Sequence, residues 1–328
     1  MSAHDERALL ARLIAGPVSG DALAQAGGHT RAAVWKRIEA LREAGVAIEA
    51  RPGRGYALAR PVELLDADAI RASLPAPAAA ALAALEVAWT LDSTNTELLR
   101  RPLPVRGAHV LLAERQTGGR GRRGRAWASP LAANLYLSVA RLFDGGLARL
   151  GGLSLVAGLA VAEALHALGH AEVRLKWPND LVVERDGALR KLGGLLIEGG
   201  GEHAGPVRAV IGIGLNVRMP DDVARAIDQP WIDLATLAAS PSRNAVAAAV
   251  IAHLLPMLET FDVEGLHGFL PRYAALDALR GRALDVQTGA HVRVARALGI
   301  AEDGGLQVEY DDGGRDVLHA GEVTVRRQ

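Results

Sequence analysis

A chain of 328 residues, half of them hydrophobic, is too long for one small domain and fits two or three folded ones. The 37 Lys and Arg residues balance the 37 Asp and Glu residues, which excludes a globally basic nucleic-acid coat and an acidic solvating protein. The lack of Cys excludes a disulfide scaffold, a Cys-based zinc site, an iron–sulfur cluster and a thiol nucleophile. With no signal-peptide pattern and no apolar run of the ~20 residues that a membrane helix needs, we expect a soluble cytoplasmic protein without membrane contact.

The first sixty residues predict a small helical module that ends in a β-hairpin. Helices are predicted at residues 6–15, 20–26 and 31–44, and strands at residues 46–50 and 56–59. Ser19 and Thr30 are N-cap residues, and Val34, Ile38 and Leu41 form one apolar face of the third helix. This is a winged helix-turn-helix, which places its last helix in the DNA major groove. We expect three basic residues off that apolar face to bind DNA: Arg31, Lys36 and Arg37. A winged helix used for protein contacts or dimerisation is the alternative.

A connector at residues 61–77, with a short helix at 66–73, leads into alternating strands and helices from about Trp89, which indicate a mixed α/β domain. Its strands are predicted at residues 108–114, 134–140, 173–177, 181–184, 191–198 and 209–217, and its main helices at 152–168 and 243–261. After Leu279, five short β segments predict a small barrel. The fold class is therefore α+β, with domains at residues 1–62, 63–275 and 276–328.

The most distinctive segment, residues 114–125, holds five arginines and four glycines and follows a predicted strand. Such a loop should be mobile when empty and should order around a carboxylate or polyphosphate. Gly119, Gly121 and Gly124 form a G-x-G-x-x-G pattern, but a strand and not a helix follows, so a dinucleotide fold is rejected.

Two further segments, residues 176–180 and 191–198, flank a hairpin turn at Asp186 and Gly187. Folding that hairpin brings Gly193 and Gly194 beside Asn179 and Asp180, where two strand glycines indicate close approach of a ligand. The chain has only three lysines against 34 arginines, and Lys176 and Lys191 are two of them, as expected where Arg cannot substitute. The alternatives are a solvated edge position for Lys191 and a turn cap for Asp180.

Three weaker signals complete the candidate site. Residues 93–95 offer hydroxyl and amide groups suited to a urea or carboxylate, although a helix N-cap explains them equally well. Asn216 ends a predicted strand, where it could read an adenine edge, and Trp231 is more often a core residue than a stacking platform.

Together these segments resemble the bacterial biotin–protein ligases, in the subclass that also represses the biotin operon. The family motifs Ser-Thr-Asn, Gly-Arg-Gly-Arg-Arg-Gly-Arg, Lys-Trp-Pro-Asn-Asp and Lys-Leu-x-Gly-x-Leu stand at residues 93–95, 119–125, 176–180 and 191–196. Gly193 and Leu195 depart mildly from the commoner Ala and Ile. The resemblance covers nearly the whole chain and implies a class II synthetase-like central domain and an SH3-like C-terminal barrel.

The resemblance implies that biotin and ATP-Mg²⁺ form biotinyl-5′-adenylate, from which biotin passes to a lysine of the biotin carboxyl carrier domain of acetyl-CoA carboxylase. It implies catalytic roles for Lys191, Arg122 and Arg120. It implies biotin contacts from Ser93, Thr94, Asn95, Gln116, Arg120, Gly121, Arg122, Lys191 and Gly194. It implies ATP or adenylate contacts from Arg122, Arg125, Lys176, Asn179, Asp180, Asn216 and Trp231.

The same resemblance implies operator DNA as a partner and leaves the magnesium ligands unassigned. A further hypothesis is that ordering of the loop favours a homodimer whose two winged helices span a palindromic operator. ATP, Mg²⁺ and biotin are expected as substrates, with no tightly bound prosthetic group. Lack of Cys argues against the related octanoyl transferases, and the lipoate-ligase signature has no counterpart. Two alternatives stay open: a ligase whose winged helix does not bind DNA, and a biotin-sensing transcription factor without catalysis.

Overall fold

The N-terminal module is a winged helix whose second and third helices begin where the sequence predicts, whereas the first begins three residues earlier. The computed structural model describes residues 3–51, 53, 55–104, 106–144, 146–201, 206–237, 242–288, 291–319 and 322–325. The module consists of α1 (Ala3–Ala15), α2 (Gly20–Gly27), α3 (Arg31–Glu43), β1 (Ile48–Arg51) and β2 (Gly55–Leu58). The Ser19 hydroxyl accepts from the Ala22 N–H at the start of α2, and the Thr30 hydroxyl accepts from the Ala33 N–H at the start of α3.

The central domain is built on a seven-stranded mixed sheet. Two short helices, α4 (Ala67–Ala72) and α5 (Ala76–Ala81), lead into it. Its strands are β3 (Leu82–Leu91), β4 (Ala108–Gln116), β5 (Leu135–Phe143), β6 (Arg174–Lys176), β7 (Asp180–Arg185), β8 (Ala188–Gly201) and β9 (Val207–Leu215). Its helices are α6 (Thr94–Arg100), α7 (Leu153–Ala167), α8 (Asp221–Ala224), α9 (Leu234–Leu237), α10 (Arg243–Glu264) and α11 (Leu270–Leu276). The strand order is β3-β4-β5-β9-β8-β7-β6, with β3 and β4 parallel and the other pairs antiparallel.

Helices α7 and α10 cover one face of this sheet and form the core with it. Helix α7 is buried on most sides, as its continuous apolar sequence predicts. Helix α10 is the one helix among the described residues that is long and apolar enough to cross a membrane. It packs on α7 and carries Leu254, Leu258 and Phe261 into the interior, so its apolar surface is the surface of a core helix.

The C-terminal domain is a five-stranded antiparallel sheet that shares its core with the central domain. Its strands are β10 (Ala283–Thr288), β11 (His291–Ile300), β12 (Leu306–Tyr310), β13 (Arg315–Leu318) and β14 (Glu322–Val325), in the order β13-β12-β11-β10-β14. Leu284 and Val308 belong to the same buried cluster as α7 and α10. The Trp177 indole N–H donates to the Gly304 carbonyl at 3.0 Å, which ties this domain to the strand that carries Lys176.

The sequence did not predict α5, β3, α8, α9 or α11. Residues 76–91 were assigned partly to the connector, yet they form α5 and β3. Alanine dominates this stretch and disfavours strands, but parallel pairing with β4 and burial of Leu82 and Leu85 override that preference. Strand β8 also runs to Gly201, beyond the predicted end at residue 198, because it pairs with β9 along that length.

Candidate active site

A cavity of about 380 Å³ brings together most of the residues that the sequence singled out. Its lining includes Ser93, Thr94, Asn95, Gln116, Arg120, Gly121, Arg122, Arg125, Lys176, Asn179, Asp180, Lys191 and Gly194. The hairpin turn predicted at Asp186 and Gly187 is present, with φ of 53° and 71°, and it aligns Asp180 with Gly194 across β7 and β8. Segments separated in sequence by up to a hundred residues therefore face one space.

One end of the cavity carries a network of small polar groups at the start of α6. The Ser93 hydroxyl caps α6 by accepting from the Thr96 N–H, so the N-cap interpretation holds together with the placement of residues 93–95 at the cavity. Thr94 donates from its N–H to the Gln116 side-chain oxygen at 2.8 Å. The hydroxyl of Ser138 lies 2.6 Å from the Thr94 hydroxyl oxygen and 2.6 Å from Asn95 Oδ1. This network presents several fixed donors and acceptors, as recognition of a compact polar ring requires.

Residues 118–125, called the Arg/Gly loop below, fold back on themselves over the cavity. The Gly121 N–H donates to the Arg125 carbonyl at 2.8 Å, and the Trp127 N–H donates to the Gly119 carbonyl at 2.9 Å. Arg122 donates to Asn179 Oδ1 at 3.3 Å. The sequence predicted that only a bound anion would hold this loop, and the structure differs because protein groups also anchor it.

Arg120 and Glu198 form the anchor of the loop nearest the sheet. Arg120 Nη2 lies 2.9 Å from Glu198 Oε1, and Arg120 Nη1 donates to the Thr96 hydroxyl at 2.7 Å. Glu198 Oε2 also accepts from the Asn95 amide at 2.8 Å. The carboxylate therefore connects the loop with the small polar network.

Lys191 lies at the centre of the cavity wall. Its ammonium group is 2.7 Å from Asp180 Oδ1 and 5.5 Å from the centroid of the Trp127 ring, and its side chain is 20% exposed. A solvated edge position is excluded, because β8 is an inner strand whose Lys191 N–H also donates to the Pro230 carbonyl. Asp180 is likewise an ion-pair partner and not a turn cap.

Two of the residues assigned to the nucleotide do not line the cavity. Asn216 is 4% exposed, and its amide donates to the Ile232 carbonyl at 3.1 Å and more weakly to the Lys191 carbonyl. Trp231 bridges to the Lys191 backbone. Both residues lie beside the Lys191 backbone and hold the strand that carries it, and their contacts with the nucleotide stay predictions.

Several residues at the site were not predicted from the sequence to be functional. Ser138 follows three apolar residues of β5 and Glu198 follows three apolar residues of β8, and a polar residue after such a run is the signal that could have revealed them. Gly212 and Gly214 on β9 are close-packed, since a Cβ at Gly212 would meet Asn95 Oδ1 at 2.4 Å and one at Gly214 would meet the Trp127 ring at 2.6 Å. The two glycines thus leave room for side chains that shape the cavity.

Of the three basic residues predicted to bind DNA, two are exposed on the winged helix and one is buried. Arg31 is exposed and paired with Asp21, and Lys36 is exposed on α3. Arg37 is only 9% exposed and donates to Asp5 at 3.1 Å, which corrects its placement off the apolar face. Position 37 is three residues after Val34, so it belongs to the same helical stripe. Trp35, 55% exposed, lies on the outer surface of α3 instead.

Comparison with known proteins agrees with this domain organisation. The biotin/lipoate A/B protein ligase family model matches residues 87–216, and an HTH domain model matches residues 6–57. The bifunctional ligase/repressor BirA of Salmonella typhimurium is 40% identical over 308 residues, which cover 94% of this chain and 93% of the relative. That of Escherichia coli is 39% identical over 89% of this chain and 88% of the relative.

A solved structure, the biotin protein ligase from Aquifex aeolicus in complex with biotin and ATP, matches with a TM-score of 0.62 and 26% identity. It covers 75% of this chain and 100% of that chain. The resemblance inferred from the motifs is confirmed, and the chain belongs to the family of BirA bifunctional ligase/repressors, with a catalytic domain of the biotin/lipoate protein ligase type.

Proposed function

We propose that this protein is a biotin protein ligase that also represses transcription. It activates biotin with ATP to biotinyl-5′-adenylate and then transfers biotin to a lysine of a biotin carboxyl carrier domain. The observation that carries the proposal is the convergence of Lys191, Arg120 and Arg122 with the small polar network of residues 93–95 on one cavity. Family membership supports the same activity.

The first step must bring two anionic groups together. A carboxylate oxygen of biotin attacks the α-phosphorus of ATP, a P–O bond forms, and pyrophosphate leaves with the bond pair. Two unit charges ~4 Å apart repel by about 4 kcal/mol at an effective dielectric near 20. A fixed cation between them reverses that repulsion, and it does so most strongly in the transition state, where negative charge accumulates.

Lys191 suits this place because an ammonium group is compact, whereas the planar guanidinium of Arg is larger and directional. Asp180 holds the ammonium in position at 2.7 Å and the Trp127 ring lies beside it. Arg120 and Arg122 would cover the carboxylate and the α-phosphate from the loop. Lys176 and Arg125 are the proposed partners of the remaining phosphates.

Biotin would place its ureido ring in the polar network at the start of α6. Ser93, Thr94 and Asn95 offer donors and acceptors there, and Gln116 orders Thr94. The adenylate is a reactive mixed anhydride that must be held away from water. The folded Arg/Gly loop is suited to exclude water until the acceptor lysine attacks the acyl carbon and AMP leaves.

Magnesium would enter with the nucleotide. Among the described residues, no group of three or more His, Cys, Asp or Glu side chains could hold a metal ion by itself. Among the described residues that line the cavity, Asp180 is the one with a carboxylate side chain. One carboxylate together with substrate phosphates is the usual magnesium environment, so Asp180 would hold the ion, which would neutralise triphosphate charge.

Pyrophosphate exchange into ATP that depends on biotin tests the proposed chemistry. The wild type should catalyse it, and Lys191→Arg should reduce the rate roughly a hundredfold, because the misplaced charge serves the transition state poorly. Lys36→Arg on the winged helix is the matched control and should exchange at the wild-type rate. Binding of biotin without any exchange by the wild type would instead identify a non-catalytic biotin sensor.

The repressor activity would use α3 and the adjacent hairpin, with two copies of the chain on a palindromic site. Lys36→Ala should weaken binding to the biotin-operon promoter and reduce the slope of log affinity against log salt by about one, as expected for one lost phosphate contact. Arg12→Ala, on α1, is the control. Equal retardation of promoter DNA by wild type and Lys36→Ala would contradict this interface, and no retardation by the wild type would leave a ligase without DNA binding. Sedimentation with and without adenylate measures the proposed homodimer.

A further inference from the structure

Glu198 occupies a central position beneath the Arg/Gly loop. It lies on β8, which pairs with β7 on one side and β9 on the other, and it stands opposite Val210. Its carboxylate accepts from Arg120 Nη2 at 2.9 and 3.1 Å and from the Asn95 amide at 2.8 Å. With 25% of its side chain exposed, it is partly shielded from solvent.

These contacts connect strand β8, which is held in the sheet, with the Arg/Gly loop, whose glycines make its backbone flexible. Residues 118–125 contain four glycines, and the backbone hydrogen bonds at Gly121 and Trp127 close the loop on itself without joining it to the sheet. Arg120 connects the loop to the sheet through Glu198 and to α6 through Thr96, beside the Arg122–Asn179 contact and the donation of the Gly118 N–H to the Asp92 carbonyl. A charge-assisted hydrogen bond of this kind is about twice as strong as a neutral one.

We propose that Glu198 is a positioning residue that sets the closed position of the Arg/Gly loop and orients Asn95 toward biotin; this inference rests on the proposed ligase function. Because Glu198 engages the Arg120 guanidinium directly, Glu198 fixes where Arg120 lies and, through Arg120, where the loop lies. The carboxylate fits because both of its neighbours are donors. In Glu198→Gln, the amide N–H₂ would face one of those donors.

The first test measures loop opening without catalysis. The loop is rich in arginine, so trypsin cleaves it when it opens, and mass spectrometry identifies cuts after residues 120–125. Glu198→Gln in the full chain should be cut there about tenfold faster than the wild type, the factor that a loss near 1.4 kcal/mol gives. Thr96→Val, which removes the other anchor of Arg120 without a change of charge, should act in the same direction.

Glu86→Gln is the matched control, because Glu86 pairs with Arg101 at 3.0 Å on strand β3 of the same sheet. This variant should be cut in the loop at the wild-type rate. A Glu198→Gln loop cut no faster than the control would overturn the proposal.

The second test uses adenylate formation. In Glu198→Gln the KM for biotin should rise about tenfold and the KM for ATP should rise less, because Glu198 orients Asn95 on the biotin side directly but reaches the phosphate-binding arginines only through the loop. A purely structural role would instead lower kcat and stability without separating the two KM values. Failure of the wild type to make adenylate would refute the proposed function, whereas the loop-cleavage comparison would still decide the role of Glu198.

Discussion

At the scale of single residues, the site depends as much on small side chains as on charged ones. Gly212 faces Asn95, whose amide and carbonyl are already engaged by Glu198, Leu196 and Ser138, so Asn95 has little freedom to move aside. A methyl group at position 212 would fall 2.4 Å from Asn95 Oδ1. Such a distance is far inside the contact limit, so the side chain must leave its hydrogen bonds.

Gly212→Ala should therefore raise the KM for biotin about tenfold, since one misplaced polar group in a binding site costs about 1–3 kcal/mol. The measurement is the biotin dependence of pyrophosphate exchange. Gly200→Ala is the control, because Gly200 is an exposed strand glycine with open space around its Cβ position. An unchanged KM for biotin in Gly212→Ala would show that Asn95 does not contact biotin.

The same scale explains which site residues could be predicted. Arg120, Arg122, Lys176, Asn179, Asp180 and Lys191 stand in dense polar motifs and were predicted. Glu198 and Ser138 each follow a run of apolar strand residues, and their partners come from distant segments, so the register of β5, β8 and β9 is needed to reveal their role. The prediction placed Arg37 on the polar face because of its charge, whereas its helical position turns it inward, where Asp5, partly exposed, pairs with it.

At the scale of elements, a linker carboxylate caps the longest helix. Glu63 accepts from the Ser242 hydroxyl at 2.6 Å, from the Arg243 N–H and from the Asn244 amide at 2.9 Å, at the first turn of α10. Behind it Arg243 pairs with the buried Glu114 at 2.8 Å. A carboxylate at a helix N-terminus satisfies free N–H groups and complements the helix dipole. The linker is therefore fastened to the central core.

This cap makes stability depend on pH. Burial raises the pKa of Glu63, but the hydrogen bonds from Ser242, Asn244 and Arg243 outweigh it and hold the pKa below its ordinary value of 4.5. A lowered pKa in the folded state stabilises the protein above 4.5, and that contribution is lost as the pH falls through the folded-state pKa.

Glu63→Gln should lower the free energy of unfolding at pH 7 by about 1 kcal/mol, the usual effect of losing a helix cap. The difference from the wild type should shrink as the pH falls below 4.5. Urea unfolding followed by circular dichroism across this range measures it. Glu259→Gln, exposed on the same helix, provides the control. A difference that stays constant down to low pH would exclude ionised Glu63 as its source.

At the scale of the whole molecule, the winged helix packs directly against the central domain. Trp89 on β3, together with Leu131 and Ala132, belongs to the hydrophobic cluster of the winged helix. The Trp89 indole N–H donates to the Glu6 carboxylate at 3.0 Å, and the Leu131 N–H donates to the Ala44 carbonyl at 2.8 Å. The proposed boundary at residue 62 therefore separates two segments of sequence whose hydrophobic side chains pack in one shared cluster. Sequence periodicity predicted each domain because it is a local property, whereas this shared surface depends on contacts between distant segments.

The indole–carboxylate contact should be measurable as a coupling between the two domains. Trp89→Phe and Glu6→Gln each weaken it, so their effects on protection of the α3 amides from hydrogen exchange should be non-additive by about 1 kcal/mol, the value of one hydrogen bond. Trp177→Phe also removes an indole hydrogen bond, but to Gly304 in the C-terminal domain, and its effect should add to that of Glu6→Gln. If the effects of Trp89→Phe and Glu6→Gln on this protection also add, then apolar contacts alone hold the winged helix against the central domain. Because Trp89 stands four residues before Ser93 on the strand that leads into the small polar network, the coupling also measures how firmly the winged helix is attached beside the cavity.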